Sequence, residues 1–152
     1  MALDRIERRI LAALQENGRM SNVELAERIG LSESPCFRRV KKLERAGVIT
    51  RYAAEIDQRT LGFTVTAFVL VDMDKQPDAL TDEFHGRVAA EPHIVECHAM
   101  SGGHDYIMKV LARDIDHFSE LIMREILKYP GVRHVESSFS LGEIKHSRAL
   151  PT

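Results

Sequence analysis

The stretch from Ser21 to Gly47 constrains this chain more than any other, because it writes two helices, a glycine turn between them and a basic second helix. Ser21 and Glu24 fit a capping box, and Met20 stands where a hydrophobic staple meets Leu25, so the first helix has a defined start. Gly30 suits the left-handed position beyond its end, with Leu31 folding back on Ala26. Ser34 then reads as the N-cap of a second helix, with Pro35 at the first helical position, where its missing N–H costs nothing. Cys36, Val40 and Leu43 make one apolar stripe, which leaves Arg38, Arg39, Lys41, Lys42 and Arg45 facing outward. This is the pattern of a helix-turn-helix, whose second helix can enter a DNA major groove.

Charge runs are ordinarily solvated helix faces. Here only Glu44 offsets the five cations between residues 38 and 45, and the residues leading into the helix are short polar groups able to reach phosphates or base edges. Ser32, Glu33, Ser34, Pro35, Arg38, Arg39 and Lys42 are therefore the candidate DNA-binding residues. After Gly47 the β-rich run Val48–Ile56 follows directly, as the wing of a winged helix does, bringing Arg51 and Tyr52 within reach of the DNA backbone. A linking strand without DNA contact fits the same run equally well.

A net charge of −2 hides an asymmetry. Residues 1–50 carry ten Lys/Arg against seven Asp/Glu, a net of +3, and the remainder carries eleven against sixteen, a net of −5. The acidic part would resist wrapping DNA, so it is expected to handle assembly or a ligand. No apolar run approaches the length of a spanning helix, and the chain begins with an amphipathic helix instead of a signal peptide, which implies a cytoplasmic, nucleoid-associated protein without a membrane. Two cysteines, Cys36 and Cys97, read as small buried side chains, not as a disulfide.

Asp4 and Glu7 give another capping box, and Leu3, Ile6, Ile10, Leu11 and Leu14 recur at helical spacing. The pattern divides into residues 1–56 as a winged helix-turn-helix DNA-binding domain, 57–62 as a linker, and 63–152 as a second domain with a C-terminal tail. From Phe63 the order is strand (63–73), helix (77–90), strand (94–100), strand (105–112), helix (115–128) and strand (132–141). This β-α-β-β-α-β succession is ferredoxin-like, and the fold class is α+β. Leu80, Phe84 and Val88 mark the inner face of its first helix, and Phe118, Leu121, Ile122 and Ile126 that of its second. Helices cover one face of such a sheet, yet Val65, Ala67, Val69 and Val71 alternate with Phe68 and Leu70. The uncovered apolar face implies a homodimer, which also suits a two-fold protein reading a palindromic site.

These residues resemble the Lrp/AsnC (leucine-responsive regulatory protein/asparagine synthase C regulator) family of transcription factors over almost the whole chain. The resemblance is carried by Leu3 to Ile6, Ser21 to Leu25, Ser34 to Cys36 with Val40 and Leu43 to Arg45, Glu96 to His98, Ser101-Gly102 with Asp105-Tyr106, and Pro130 to Val132. It implies a sequence-specific DNA-binding regulator whose assembly and DNA affinity respond to a small amino-acid effector such as leucine or methionine. It also implies dimers that assemble further, commonly into octamers, and no other cofactor. In such regulators the loop between the second and third sensor strands lines the effector site, here Ser101, Gly102, Gly103, His104, Asp105 and Tyr106. Glycine amides can approach a carboxylate closely, and Asp105 can pair with an α-ammonium. Gly102-Gly103 departs from the Gly-Asp or Gly-Glu common in the family, which shifts ammonium recognition onto Asp105 and backbone carbonyls. Val135, Ser137 and Ser138 match positions that complete the pocket from a neighbouring subunit, and Met100 and Met123 are candidate apolar walls.

Other readings are weaker. His93, His98, His104, His117 and His134 with Cys97 supply acids, bases or a nucleophile without any recognisable catalytic frame, so no enzyme is expected. Cys97, His98, His104 and Asp105 are suitable metal ligands, but strand alternation divides the first two and no ligand spacing accompanies them. An architectural DNA-binding protein with little effector response is the nearer alternative.

Overall fold

A computed structural model describes residues 2–75, 77–147 and 149–152, and its contacts divide the chain into two units. One runs up to Glu55 and includes Lys145–Thr152; the other is Ile56–Ile144. The C-terminal tail therefore groups with the N-terminal unit instead of the sensor domain that its sequence position suggests. The reason is a pair of hydrogen bonds: the Leu150 N–H donates to Gln15 Oε1 at 2.6 Å, and Gln15 Nε2 donates to the Leu150 carbonyl at 3.1 Å.

In the N-terminal unit, α1 (Arg5–Glu16), α2 (Asn22–Ile29) and α3 (Glu33–Arg45) pack around Ile10, Ala13, Leu25, Ala26, Ile29, Cys36 and Leu43. Both capping boxes form, Asp4 with Glu7 and Ser21 with Glu24. Gly30, at φ 72°, ends α2 with Leu31 N–H bonded to the Ala26 carbonyl, and Gly47, at φ 69°, repeats the device after α3 with Val48 bonded to the Leu43 carbonyl. Helix α3 starts earlier than Ser34: Ser32 is its N-cap, without a side-chain capping bond, and Pro35 sits in the third helical position. Proline is harmless there too, because the first four N–H groups of a helix have no internal partner.

The Val48–Ile56 run pairs into no strand. Its aromatic residue, Tyr52, stays half exposed and bonds the end of α3 through its hydroxyl. The Tyr52 hydroxyl donates to Glu44 Oε1 at 3.1 Å, and a Cβ at Gly18 would lie 3.6 Å from Tyr52 Cδ1.

The second unit is β1 (Val65–Met73), α4 (Asp78–Ala90), β2 (Ile94–Ala99), β3 (Tyr106–Ala112), α5 (Ile115–Glu120) and β4 (Val132–Phe139). The sheet order β2-β3-β1-β4, with every pair antiparallel, is the ferredoxin-like arrangement. Beyond α5 the chain widens into a π turn (Leu121–Glu125) and tightens into a 3-10 turn (Ile126–Lys128) instead of one α-helix through residue 128. Residues five apart in an α-helix lie about 140° apart, and the wide turn lets both Leu121 and Ile126 face the sheet.

Alternation along β1 separates two environments. Ala67, Val69 and Val71 are fully buried beneath the helices, against Met108, Val110 and Phe84. Phe68, at 39% exposure, and half-buried Leu70 lie on the opposite face, where the register brings Ile107 beside Leu70 and Leu111 beside Thr66. Leu80, read as inner-facing from its spacing, stays exposed, whereas Phe84 is buried.

Candidate functional site

The outward side of α3 follows from what its inner side buries. With Cys36 and Leu43 fully buried, Ser34, Arg38 and Arg45 fall opposite them at helical spacing and are exposed. A surface groove of about 520 Å³ runs along Phe37, Arg38, Lys41, Lys42, Arg45 and Ala46. Ser32, Glu33 and Ser34 are exposed at the start of the helix, and Arg51 is exposed beyond its end.

The five cations are not equivalent. Lys42 Nζ lies 2.7 Å from Glu7 Oε1, and Arg39 lies 2.5 Å from Asp4 Oδ2 and 3.8 Å from Glu7. Lys41 pairs with Glu44 at 2.7 Å and stands over the Phe37 ring at 5.6 Å. Arg39 and Lys42 thus meet α1 carboxylates that counting charges along α3 does not reveal.

Glu7 is the centre of this cluster and is only 1% exposed. Its carboxyl is held below the usual range by the Lys42 ammonium and then by the Asp4 N–H, which together outweigh burial. The Asp4 carboxyl is lowered by the Glu7 N–H and then by Arg39. Sequence reading assigned Glu7 to the capping box alone. The missed signal was phase: Glu7 falls three residues before Ile10 and four after Leu3, on the inner stripe of α1.

In the second unit, Met100 and Ser101–Asp105 form the turn between β2 and β3. Met100 N–H donates to the Asp105 carbonyl at 2.8 Å and Asp105 N–H to the Val71 carbonyl at 3.0 Å. Asp105 Oδ2 accepts the Met73 N–H at 2.7 Å, and His104 Nδ1 lies 2.9 Å from Asp72 Oδ1. The turn is therefore anchored to the end of β1. Gly102 and Gly103 have no positive φ, and a Cβ on either would meet nothing within 4 Å. Their backbone is open to approach, and neither needs to be glycine for conformational reasons.

Tyr106, Val71 and Val135 stand in one row across β3, β1 and β4, with Ser137 on the same helix-covered side. Ser138 pairs with Phe68 on the opposite face. Within one chain, Val135 and Ser137 share a side with Tyr106 while Ser138 does not. The Tyr106 hydroxyl is 2.9 Å from His85 Nε2, and its ring lies 4.8 Å from that of Phe84, partners that only the folded register reveals.

Alternation also separates Cys97, paired with Met108 of the buried row, from exposed His98. Among the described residues no three His, Cys, Asp or Glu side chains gather as a metal-ligand set. Burial pushes both the Cys36 and Cys97 thiols up, away from the nucleophilic thiolate.

Comparison with known proteins places this geometry. Residues 3–50 match a winged helix-turn-helix DNA-binding model and residues 66–150 match the Lrp/AsnC ligand binding domain. The chain belongs to the Lrp/AsnC family of transcriptional regulators. It is 37% identical over 148 residues to the leucine-responsive regulatory proteins of Salmonella typhimurium and Escherichia coli K12, covering 97% of this chain and 90% of each relative. Its fold is similar to a transcriptional regulator from Neisseria meningitidis solved as an L-methionine complex, with TM-score 0.95, 40% identity and coverage of 99% and 97% of the two chains. An AsnC family regulator from Agrobacterium tumefaciens is similar at TM-score 0.94 and 36% identity, with coverage of 98% and 97%. The chain is thus a DNA-binding transcription regulator, from a family that is not enzymatic, and among its described residues no helix is long and apolar enough to cross a membrane.

The depressed carboxyls of Asp4 and Glu7 make an acid-lability prediction. Stability from a lowered carboxyl is fully present above its unfolded value and is lost as pH falls through its folded value. Melting of the N-terminal unit, followed by circular dichroism, should therefore weaken progressively below about pH 5. Glu7→Gln should cost about 1.5–3 kcal/mol at neutral pH, the range for a hydrogen bond to a charged group, and flatten that acid dependence. An equally steep decline in the variant would remove Glu7 as its source.

Proposed function

We propose that this regulator binds a palindromic operator as a homodimer, with one α3 helix per half-site. An amino acid such as methionine or leucine, held at the Met100–Tyr106 turn, would shift its assembly toward or away from a higher oligomer, up to an octamer, and with it DNA affinity. The observation that carries the DNA half is the two-sided α3: Cys36 and Leu43 buried, Ser34, Arg38 and Arg45 exposed opposite them. Ser32, Glu33 and Pro35 complete the helix start, Arg51 is a backbone contact, and the site of action is the nucleoid in the cytoplasm.

The effector half is supported by chemistry. Open Gly102 and Gly103 amides suit a carboxylate, and the Asp105 oxygen not bonded to Met73 suits an ammonium. The methionine bound to the Neisseria regulator favours a free amino acid as ligand. Phe68, Leu70, Ile107 and Leu111 supply the dimer face, and Met123, at 64% exposure, with Leu127 offers apolar surface on the helical side for further assembly.

Three measurements test this reading. Arg38→Ala should cost about 1–3 kcal/mol of operator binding and relax one base position in a selection from random DNA, whereas a uniform loss across sequences would reduce Arg38 to a phosphate contact. Leu70→Asp should give a monomer by light scattering at micromolar concentration; an intact dimer would mean that this face is not the interface. A thermal-shift screen should find an amino acid that stabilises the protein by mass action. Asp105→Asn, which keeps an acceptor for Met73 but removes the charge, should abolish that shift while leaving dimerisation and basal DNA binding in place. Equal stabilisation of both proteins would return Asp105 to a turn-forming role.

A further inference from the structure

We infer that Glu7 is an internal counterion that withholds Lys42, and with Asp4 also Arg39, from DNA phosphates, so that α3 meets DNA with fewer free cations than its sequence contains. The inference rests on α3 being the DNA-facing helix. Glu7 is a positioning residue that acts through Lys42.

The geometry leaves the carboxylate little alternative. Its Oε2 accepts the Asp4 N–H at 3.0 Å and its Oε1 meets Lys42 Nζ at 2.7 Å, while the side chain is cut off from water. The cations are accessible from outside, Arg39 at 32% and Lys42 at 56% exposure, so a phosphate can reach them. To bind that phosphate, Lys42 must be shared with a carboxylate already at contact distance, or must leave it buried with only the Asp4 N–H and Arg39 at 3.8 Å, which is costly. A groove of about 420 Å³ lined by Asp4, Glu7, Pro35, Arg38, Arg39 and Lys42 sets acids and cations side by side, so an incoming phosphate meets a surface that is partly neutralised. Arg38 and Arg45 form no ion pair among the described residues; Arg38 lines this groove beside Asp4 and Glu7, and Arg45 does not line it.

The consequence is a matter of absolute affinity and salt dependence. Sequence-independent DNA binding is nearly all electrostatic, and each phosphate neutralised steepens the salt dependence of log K by about 0.9. Withholding flank cations weakens binding to any duplex while leaving base-edge contacts from the outward line of α3 unchanged. The ratio of operator to random DNA is left unchanged, while absolute affinity falls and its salt dependence becomes shallower.

The test uses the full-length protein and a random-sequence duplex, with affinity read by fluorescence anisotropy across a salt series. Glu7→Gln should steepen the slope by about one, a relative gain of roughly 3- to 4-fold between about 200 and about 50 mM salt. The gain should vanish in the Glu7→Gln/Lys42→Gln double variant, a coupling that a merely structural role does not produce. A folded Glu7→Gln protein with the parent slope, or an equal gain in the double variant, overturns the inference. A second measurement covers a variant that fails to fold: the Lys42 side-chain ¹⁵N signal of the parent should keep its position as random duplex is added, and its displacement overturns the inference. A parent that binds no duplex overturns the DNA-facing reading of α3 and this inference with it, whereas an unchanged slope overturns this inference alone.

Discussion

The N-terminal unit is organised around a carboxylate placed where a hydrophobic side chain would ordinarily be. Glu7 occupies the inner stripe of α1 beside Ile10, and its burial is tolerated because every direction it faces supplies a donor or a cation. Apolar packing between α1 and α3 is nondirectional and permits sliding along the contact; an ion pair at 2.7 Å does not. The cluster therefore fixes the rotation and position of α3 relative to α1, and with them which residues of α3 point outward. Arg38 is outward because Cys36 and Leu43 hold the opposite side of α3 in the core, and the pairing of Lys42 and Arg39 with α1 agrees with that rotation.

In the second unit the corresponding constraint is the period of two along each strand. Because β1 lies between β3 and β4, its alternation is imposed on both neighbours, and every residue of the central rows belongs either to the helix-covered core or to the open apolar face. The same rule separates Cys97 from His98 and Ser137 from Ser138. A site drawing on both serines needs surfaces from more than one direction, which is the arrangement expected when a neighbouring subunit contributes to it.

Local chemistry was legible in the sequence. Capping boxes at Asp4 and Ser21, the left-handed turn at Gly30 and the alternation through β1 are decided by residues close together along the chain, and each formed as read. The readings that changed depended on distant partners. The Glu7–Lys42 pair spans 35 positions and the Gln15–Leu150 bonds span 135, so although helical phase places Glu7 on the inner stripe, nothing local names either partner. The β-rich composition of residues 48–56 expresses a propensity, and without a paired ladder it yields a segment whose tyrosine bonds Glu44. The turn from Met100 to Tyr106 was singled out by the family resemblance, with its glycines and Asp105 in agreement, but its anchoring through Met73, Val71 and Asp72 required the fold.

That anchoring bears on how an effector can act. An effector alters assembly only through a difference in free energy between assembled states, typically about 1–3 kcal/mol, and assembly must alter effector affinity by the same factor. Asp105 is bonded through its N–H to the Val71 carbonyl and through its carboxylate to the Met73 N–H, and His104 holds Asp72 between them. Three successive residues at the end of β1 are thus tied to the turn, and the same strand carries Phe68 and Leu70 on the open face. Under the proposed reading an ammonium pairs with the Asp105 oxygen that does not accept the Met73 N–H, and so places a charge beside the bond that sets the end of that strand, next to the register shift between Asp72 and Met73 against β4. The proposed coupling therefore needs no long pathway: one strand carries the turn at its end and the apolar face along its length, and a charge placed on Asp105 acts at the end of that strand.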